Sequence, residues 1–447
     1  MYKKLLVLVI LACAGSLLGQ FKDPTAGSLT SALGLTYIDG KPFYAVRLSP
    51  EFALGNFGVG LDLNMEFGSD GSIRKENFND ATDYLSIIRY IRYGQKNDPV
   101  YVKLGAVDYY TLGHGSIMYL YNNRPSIDNK KIGLGFDLNM EEWGIESIYS
   151  DFSQAGVMGM RGYIKPLKLF VDSSIPIVSN VEVGATYVSD MSKDAHVESV
   201  VYNSTTQMID QRIGAKSLNE FGFDVGLPIY KSSVFSSQLY YDFAKIQDLG
   251  SGSSAGILVD LNLGSFVTLG ARLERRWNKE QYMPSLFNWM YEINRFNYNP
   301  VTNQISSVYQ QLKNMKQADN GNFGSLKIDV LNLVKVYGSY ERLDKTPESG
   351  VLDIKAEAAP QNLPMVARAG YSKTNITNEG GMFRVDDHSY LYTELGYKPY
   401  SYLLVSMLYI WTFEPVRDAD KVVVGYKPQK KIEPRVSFIY PFDLTKK

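Results

Sequence analysis

The sequence predicts an all-β fold, a transmembrane antiparallel up-and-down β-barrel of about 18–20 strands, within a range of about 16–22. Three observations support this prediction. Apolar and polar residues alternate from about residue 29 to the end of the 447-residue chain. The alternating segments are nine to twelve residues long, which is enough for a tilted strand to cross a bilayer. Short and long connections alternate between them, as in an up-and-down barrel.

The first nineteen residues predict export. MYKK supplies positive charge, LLVLVILA is apolar, and AGSLLG ends in small residues, a pattern typical of a secretory signal peptide. We expect 1–19 to be the signal peptide, cleaved after Gly19, and 20–447 to form the barrel as one domain. Cys13, the single cysteine, lies in ILAC, which resembles a lipobox, so lipidation at this residue stays an alternative.

Alternation is clearest in segments 59–67, 134–140, 267–275 and 350–358. In 59–67 every odd position is apolar, while the even positions are Gly60, Asp62, Asn64 and Glu66. Such a period of two indicates a strand with one apolar face. A mature chain with roughly 20–24 residues per strand and connection gives about 18–21 strands. An even number of strands would place both termini in the periplasm.

The tripeptide DLN occurs three times, at 62–64, 137–139 and 260–262. A calcium site would accept these oxygens, but the copies are widely spaced and lack the glycine turn of a calcium loop. A true repeat would extend beyond the shared stretch at a fixed period. The plainer interpretation is that three strands lie in similar environments, which favour the same residue types on each face of the strand. We therefore expect no metal and no cofactor.

Tyrosines near segment ends predict an interfacial girdle, notably Tyr90–Tyr93, Tyr109–Tyr110, Tyr240–Tyr241 and Tyr397–Tyr400. The closing segment PRVSFIYPF (434–442) alternates and ends in an aromatic residue. This segment resembles the C-terminal targeting strand of bacterial outer-membrane β-barrel proteins, although a tail, DLTKK, follows it. The resemblance identifies no subfamily. It implies Sec export, residence as an integral protein in the bacterial outer membrane, contact with its lipid, and recognition of this strand by the barrel-insertion machinery.

Charged side chains on the polar face are candidates for lining a pore. They are Asp62, Asp137, Glu182, Asp224, Asp260, Arg272, Glu274, Asp329, Asp353 and Lys355. We expect most of them to be solvated, because a barrel of this width can hold water. A constriction with cation preference is the alternative, because acids outnumber bases in this set.

Segment 108–123, DYYTLGHGSIMYLYNN, mixes glycine, aromatic and amide residues. Such a loop could fold inward and narrow a pore, which makes His114, Ser116, Asn122 and Asn123 constriction candidates. An ordinary extracellular loop is the alternative. A Ser-His-Asp hydrolase would need His114 or His388 with a nearby acid, but no G-x-S-x-G signature is present. We expect no enzymatic activity.

Loop 276–321 is rich in aromatic residues, including Trp277, Tyr282, Trp289 and Tyr291. Packed on itself, the loop would be a lid over the barrel mouth. With its aromatic rings exposed, it would recognise sugars or hydrocarbon. Its stretch 304–316 can also form a short amphipathic helix.

These patterns predict a porin-like outer-membrane channel for passive diffusion of small solutes. The alternatives are a transporter of hydrophobic or oligosaccharide substrates, and a non-conducting scaffold in a surface or secretion assembly. A formal charge of −1 gives no indication of nucleic-acid binding. A homo-oligomer is possible, and the sequence does not identify the solute.

Overall fold

The structure, a computed structural model, describes residues 27–442 except 80, 171–178, 215–216, 265, 300–301, 303, 332 and 359–363. The predicted signal peptide 1–19, its Cys13 and the tail 443–447 lie outside the described residues.

Twenty antiparallel strands form one closed sheet. The strands are β1 Gly27–Ile38, β2 Lys41–Leu54, β3 Phe57–Leu61 with Leu63–Phe67, β4 Ile88–Tyr93, β5 Val100–Gly105, β6 Gly133–Asn139, β7 Trp143–Tyr149, β8 Val157–Ile164, β9 Glu182–Asp190, β10 Leu218–Lys231, β11 Phe235–Ile246, β12 Ser251–Asn262, β13 Val267–Asn278, β14 Asp319–Val330, β15 Val334–Leu343, β16 Gly350–Ala358, β17 Met365–Ile376, β18 Ser389–Tyr400, β19 Leu403–Arg417 and β20 Val423–Phe442. Each strand pairs with its neighbours in the chain. The predicted up-and-down barrel and its strand number are confirmed.

Pairing between β1 and β20 closes the barrel. Their register runs from Gly27 opposite Phe442 to Ile38 opposite Lys431. Closure satisfies the backbone N–H and C=O groups that an open edge would leave unpaired in lipid. β3 consists of two segments because the ladder is interrupted at Asp62.

Other elements are short and belong to the connections. Two hairpins lie outside the barrel sheet, Ser199–Asn203 with Met208–Ile213 and Phe296–Asn299 with Gln304–Ser307. The helices are Ala81–Leu85, Pro166–Phe170, Tyr291–Asn294 and Val308–Asn314, and the 3₁₀ turns are Lys75–Asn77 and Glu379–Gly381. The helix Val308–Asn314 confirms the helix predicted within 304–316. No helix in the described part of the chain is long and apolar enough to cross a membrane.

An apolar belt surrounds the outside of the barrel. Large aliphatic and aromatic side chains that alternate outward are exposed, among them Leu33, Phe223, Leu273, Met407 and Phe438. A continuous exposed surface of this kind is stable in lipid and unfavourable in water. The barrel therefore spans a membrane.

The predicted girdle is only half correct. Tyr93, Tyr241, Tyr397 and Tyr400 are exposed, as a girdle requires. The other four, Tyr90, Tyr109, Tyr110 and Tyr240, are buried instead. Tyr240 and Tyr241 show the reason, because successive side chains of a strand point to opposite faces.

The two rims of the barrel differ in loop length. At the rim where Gly27 meets Phe442, most connections are short, such as 55–56, 140–142 and 401–402. At the opposite rim, long loops span 68–87, 106–132, 191–217, 279–318 and 377–388. Long loops are extracellular in barrels of this type, so both described ends of the chain lie at the periplasmic rim.

Two of the long loops fold into the lumen, and we call residues 106–132 and 279–318 together the plug. Within it, Met118, Phe287 and Leu312 are fully buried and belong to the same apolar cluster as Ala244 and Ile246 of the inner wall. Backbone hydrogen bonds join the two loops, from Phe287 N to the carbonyl oxygen of Ile117 (3.1 Å) and from Ser285 N to that of Ser116 (2.7 Å). The plug is thus a folded, apolar-cored unit inside the barrel.

Candidate functional site

The lumen is the candidate site, and the plug closes its extracellular half. Along the inner face of β13, Arg272, Glu274 and Arg276 are buried, whereas Thr268, nearer the periplasmic rim, is partly exposed. Solvent therefore reaches the inner wall from the periplasmic side.

The ten predicted wall residues fall into a solvent-accessible group and a buried group. Asp260 is exposed, and Asp62, Glu182 and Asp329 are partly exposed. The other six are buried, which contradicts the expectation that most would be solvated; they are Asp137, Asp224, Arg272, Glu274, Asp353 and Lys355. The physical reason is the plug, which excludes water from the wall that it covers.

Arg272, Glu274 and Arg276 form one network of buried charges on the wall. Glu274 accepts hydrogen bonds from Arg272 and Arg276, and Arg276 also pairs with Glu341. The Tyr240 hydroxyl accepts from Arg272 Nε and donates to Glu274, both at 2.6 Å. This network satisfies charges that would otherwise cost several kcal/mol each to bury.

Two further wall residues contact tyrosines of the plug. Lys355 Nζ lies 3.3 Å from the ring centre of Tyr109, a distance suited to a cation–π contact. Asp137 is bound by Lys96 at 2.7 Å and accepts a hydrogen bond from Tyr110. The charged wall and the aromatic plug are therefore complementary surfaces.

An ion network joins both plug loops to the wall. Glu292, in the helix Tyr291–Asn294, contacts Lys131 of the other loop at 2.5 Å and Arg295 at 2.7 Å. Arg295 in turn pairs with Asp190, at the end of β9, at 3.1 Å. Burial alone would raise the pKa of Glu292, but the charges of Arg295 and Lys131 and the hydrogen bonds from Lys131 and Tyr121 lower that pKa to about 2. Glu292 is therefore ionised in the closed plug at neutral pH.

The constriction candidates occupy different places in the first plug loop. Asn123 is fully buried, accepts a hydrogen bond from Val107 N (3.0 Å) and donates one to the Ser150 carbonyl (2.9 Å). Asn122, also buried, accepts from Arg124 N (2.9 Å). These amides brace the loop rather than line a passage. The Ser116 carbonyl belongs to the contact with the second plug loop described above.

His114 lies at the loop tip, against the wall. Its Nδ1 is 2.8 Å from Asp242 Oδ1, and its Nε2 is 3.2 Å from Gln238 Nε2. The His–Asp pair of a catalytic triad is thus present, but Nε2 faces an amide where a triad would place the nucleophile. His388 lies near the extracellular rim with its side chain 40% exposed, and its Nε2 is 3.9 Å from Asp387.

The predicted loop aromatics are mainly structural. Tyr282, Trp289 and Tyr291 are buried in the plug core, so their rings are not available to stack on a ligand in this state. Trp277 is not in the loop, because β13 continues to Asn278, and its ring is 43% exposed on the outside. The lid interpretation of 276–321 fits these positions.

The three DLN copies fall on β3, β6 and β12, which are not neighbours in the sheet. Their acids have different surroundings: Asp62 accepts from Asn64 (2.9 Å), Asp137 binds Lys96, and Asp260 is exposed beside Ser236 (3.3 Å). They share a strand environment and not a common site.

Sequence reasoning missed the residues that hold the plug, Lys131, Asp190, Glu292 and Arg295, as well as Arg161 and Asp242 of the wall. Lys131 and Glu292 are 161 residues apart, so no local spacing reveals their contact. Asp242 alternates inward with Tyr240 on β11, and that periodicity is the signal that could have placed it on the wall.

No protein-family model and no curated protein matches the sequence. Among solved structures, the chain is similar to Wzi of Escherichia coli, described as a carbohydrate-binding β-barrel involved in group 1 capsule assembly (11% identity, 94% of this chain and 85% of that one, TM-score 0.37). It is also similar to OpdK of Pseudomonas aeruginosa, solved with vanillate (11%, 95% and 99%, 0.31), and to OmpT, an outer membrane protein of Vibrio cholerae (9%, 94% and 97%, 0.32). Likenesses this low carry no argument about function.

The closed sheet and its apolar belt decide the class of protein, because a closed barrel is the arrangement by which strands cross a bilayer. The chain is a transmembrane β-barrel of the outer-membrane type.

Proposed function

We propose that the protein is a porin-like outer-membrane channel for passive diffusion of small solutes, held closed or narrow at rest by the plug. The observation that carries the proposal is the folding of two extracellular loops into a lumen with a charged wall. The solvent-accessible periplasmic part, with Asp260 and Asp329, would form the inner vestibule.

The plug argues for restricted rather than general diffusion. Its two loops share an apolar core that also packs against Ala244 and Ile246 of the wall, and ion pairs such as Arg295–Asp190 join the plug to the wall beside it. Water can replace ion pairs more readily than it can solvate an apolar core. Opening would therefore begin where ion pairs join the plug to the wall, and small solutes would pass between the two.

The alternatives have less support. Transport of hydrophobic or oligosaccharide substrates relied on exposed loop aromatics, and Tyr282, Trp289 and Tyr291 are buried. A scaffold would be a barrel that conducts no ions in any state. We propose further that the barrel-insertion machinery recognises β20, whose Val436, Phe438 and Tyr440 face outward.

Excision of the second plug loop tests the proposal. Gln281 N donates to the Met315 carbonyl at 2.8 Å, so residues 283–313 can be replaced by Gly-Ser-Gly without stretching the barrel. In planar bilayers we expect small or rare currents from the wild type and a large, steady conductance from the excised variant. Shortening the exposed turn 204–207 is the matched control and should leave the currents unchanged.

Folding of each variant is checked by heat-modifiable gel mobility. A folded excised variant that stays silent would exclude a channel and favour the scaffold. A wild type with the same large conductance as the excised variant would show that the plug does not restrict the lumen.

A further inference from the structure

Two carboxylates face each other on the covered inner wall. Asp224 on β10 and Asp242 on β11 are directly paired in the sheet register, so their side chains project into the lumen side by side. Both are buried. Like charges on neighbouring strands repel, and at this depth the repulsion must be compensated by positive charge.

The two carboxylates differ in how much positive charge lies beside them. Asp224 accepts hydrogen bonds from Arg161, at 2.9 Å from Nε and 2.5 Å from Nη2. The same guanidinium also contacts Glu146 and Glu182, and Lys165 lies 3.9 Å from Glu182. Asp242 is paired with His114 alone among the described residues, and its second oxygen, Oδ2, has no hydrogen-bond partner there. A carboxylate oxygen this deeply buried and unpartnered is costly.

The plug brings a third ligand type to this pair. A nitrogen of His114, an oxygen of Asp224 and an oxygen of Asp242 all lie within 4.8 Å of one another. Beside them is a small cavity lined by Ser116, Asp242, Ser254 and Asn278. Ser254 Oγ and both side-chain polar atoms of Asn278 also lack partners among the described residues.

We propose that His114, Asp224 and Asp242 bind a divalent transition-metal cation of the Zn²⁺ type, which fastens the plug to the barrel wall. One imidazole nitrogen and two carboxylate oxygens suit Zn²⁺, whereas Ca²⁺ prefers oxygen ligands alone. The cation supplies the positive charge that Asp242 lacks. Asp242 also lines the small cavity, which would hold the water that completes the coordination.

Neighbouring groups match the supporting shell of a metal site. Gln238 Nε2 lies 3.2 Å from the ring nitrogen of His114 that does not face Asp242. A half-turn of this amide would present its oxygen as the acceptor that the free N–H of a metal-binding histidine needs. The Tyr240 ring stacks on His114 with centroids 4.3 Å apart. Arg161 uses one lone pair on each Asp224 oxygen, and the other lone pairs remain available to a cation.

The GHG sequence at 113–115 explains how the loop delivers His114. Gly113 and Gly115 both have positive φ, +53° and +86°. A Cβ on Gly113 would lie 2.7 Å from Arg161 Nε, so glycine allows the backbone to approach the Arg161–Asp224 pair. Any other residue at 113 would adopt a strained backbone conformation and would displace the Arg161 side chain.

The test is titration of the refolded chain with ZnCl₂ in detergent, by calorimetry. We expect one saturable site per chain, and we expect Asp242→Asn and His114→Gln each to weaken binding by at least about tenfold. His388→Gln, at the exposed rim, is the matched control and should change the affinity by less than about twofold. Excess CaCl₂ should not compete.

Protease protection gives a second readout that does not depend on conductance. Zn²⁺ should slow cleavage within 106–132 in the wild type and not in Asp242→Asn. The proposal is overturned if folded wild type binds no Zn²⁺, or if binding persists at full affinity in both Asp242→Asn and His114→Gln. Because both readouts are made without a bilayer, the metal site stands or falls independently of the channel.

Discussion

Glu292→Gln is the substitution that most directly tests what holds the plug in the lumen. Glu292 is 2% exposed and receives hydrogen bonds from Lys131, Arg295 and Tyr121. Glutamine keeps the volume of the side chain but removes its charge, so Lys131 and Arg295 lose a shared counter-ion. The barrel strands themselves are not altered.

The magnitude follows from the pKa of Glu292. A fall from 4.5 to about 2 means that the closed plug favours the ionised form by about 3 kcal/mol. The neutral glutamine forgoes that stabilisation. Since each 1.4 kcal/mol is a factor of ten in an equilibrium constant, about 3 kcal/mol should raise the population of open plug roughly a hundredfold.

The assay is open probability in planar bilayers, with heat-modifiable mobility as the check on folding. Glu280→Gln is the control, because Glu280 is exposed in the same loop, and it should behave as wild type. If folded Glu292→Gln had the same open probability as Glu280→Gln, the ion network would not hold the plug and the reasoning would be refuted.

Three other outcomes are expected. Because the pKa of Glu292 is lowered in the closed plug, the stabilisation of the plug by ionised Glu292 is complete above pH about 4.5 and is lost as pH falls towards about 2. Wild-type currents should therefore rise across that pH range. An equal rise in current in Glu292→Gln would contradict the assignment to Glu292. Phe287→Ala removes a fully buried ring from the plug core and should destabilise the plug by about 3–5 kcal/mol. The plug loops should then be cleaved faster by protease, while the barrel keeps its heat-modifiable mobility. Unchanged proteolysis would exclude a packed core. Gly115→Ala places a Cβ 2.6 Å from Tyr119 Cδ2 at φ +86° and should destabilise the plug by about 1–2 kcal/mol. Gly71→Ala is the control, because Gly71 also has a positive φ, +80°, but lies outside the plug with open space around it. Equal protease sensitivity of the plug in both variants would argue against the geometry of the loop tip.

The barrel could be predicted because its signal is local. Alternation in a segment such as 59–67 reports which face meets lipid, and the polar face follows from the same residues. Strand ends were less certain, because Trp277, predicted in loop 276–321, belongs to β13, which continues to Asn278. This residue was assigned to the loop from the aromatic composition of the segment rather than from strand pairing.

The plug could not be predicted to the same degree. Aromatic residues in 276–321 are compatible with a ligand surface and with a packed core, and only their three-dimensional contacts decide between these. Loop 108–123 posed the same ambiguity, and two of its polar residues, Asn122 and Asn123, became buried braces. The His114–Asp242 contact joins residues 128 positions apart, a relation that one sequence does not reveal.

The most direct measurement is the accessibility of a residue inside the plug. Ser285 is 1% exposed between Gly115 and Arg276, and Ser204 is exposed in the extracellular hairpin turn. The predicted mature chain has no cysteine, so Ser285→Cys and Ser204→Cys each report a single site to a water-soluble maleimide. The account predicts rapid labelling at 204 and much slower labelling at 285, which becomes rapid after heat unfolding. Equal labelling of both sites in the folded barrel would show that the lumen is open and that the plug does not fill it.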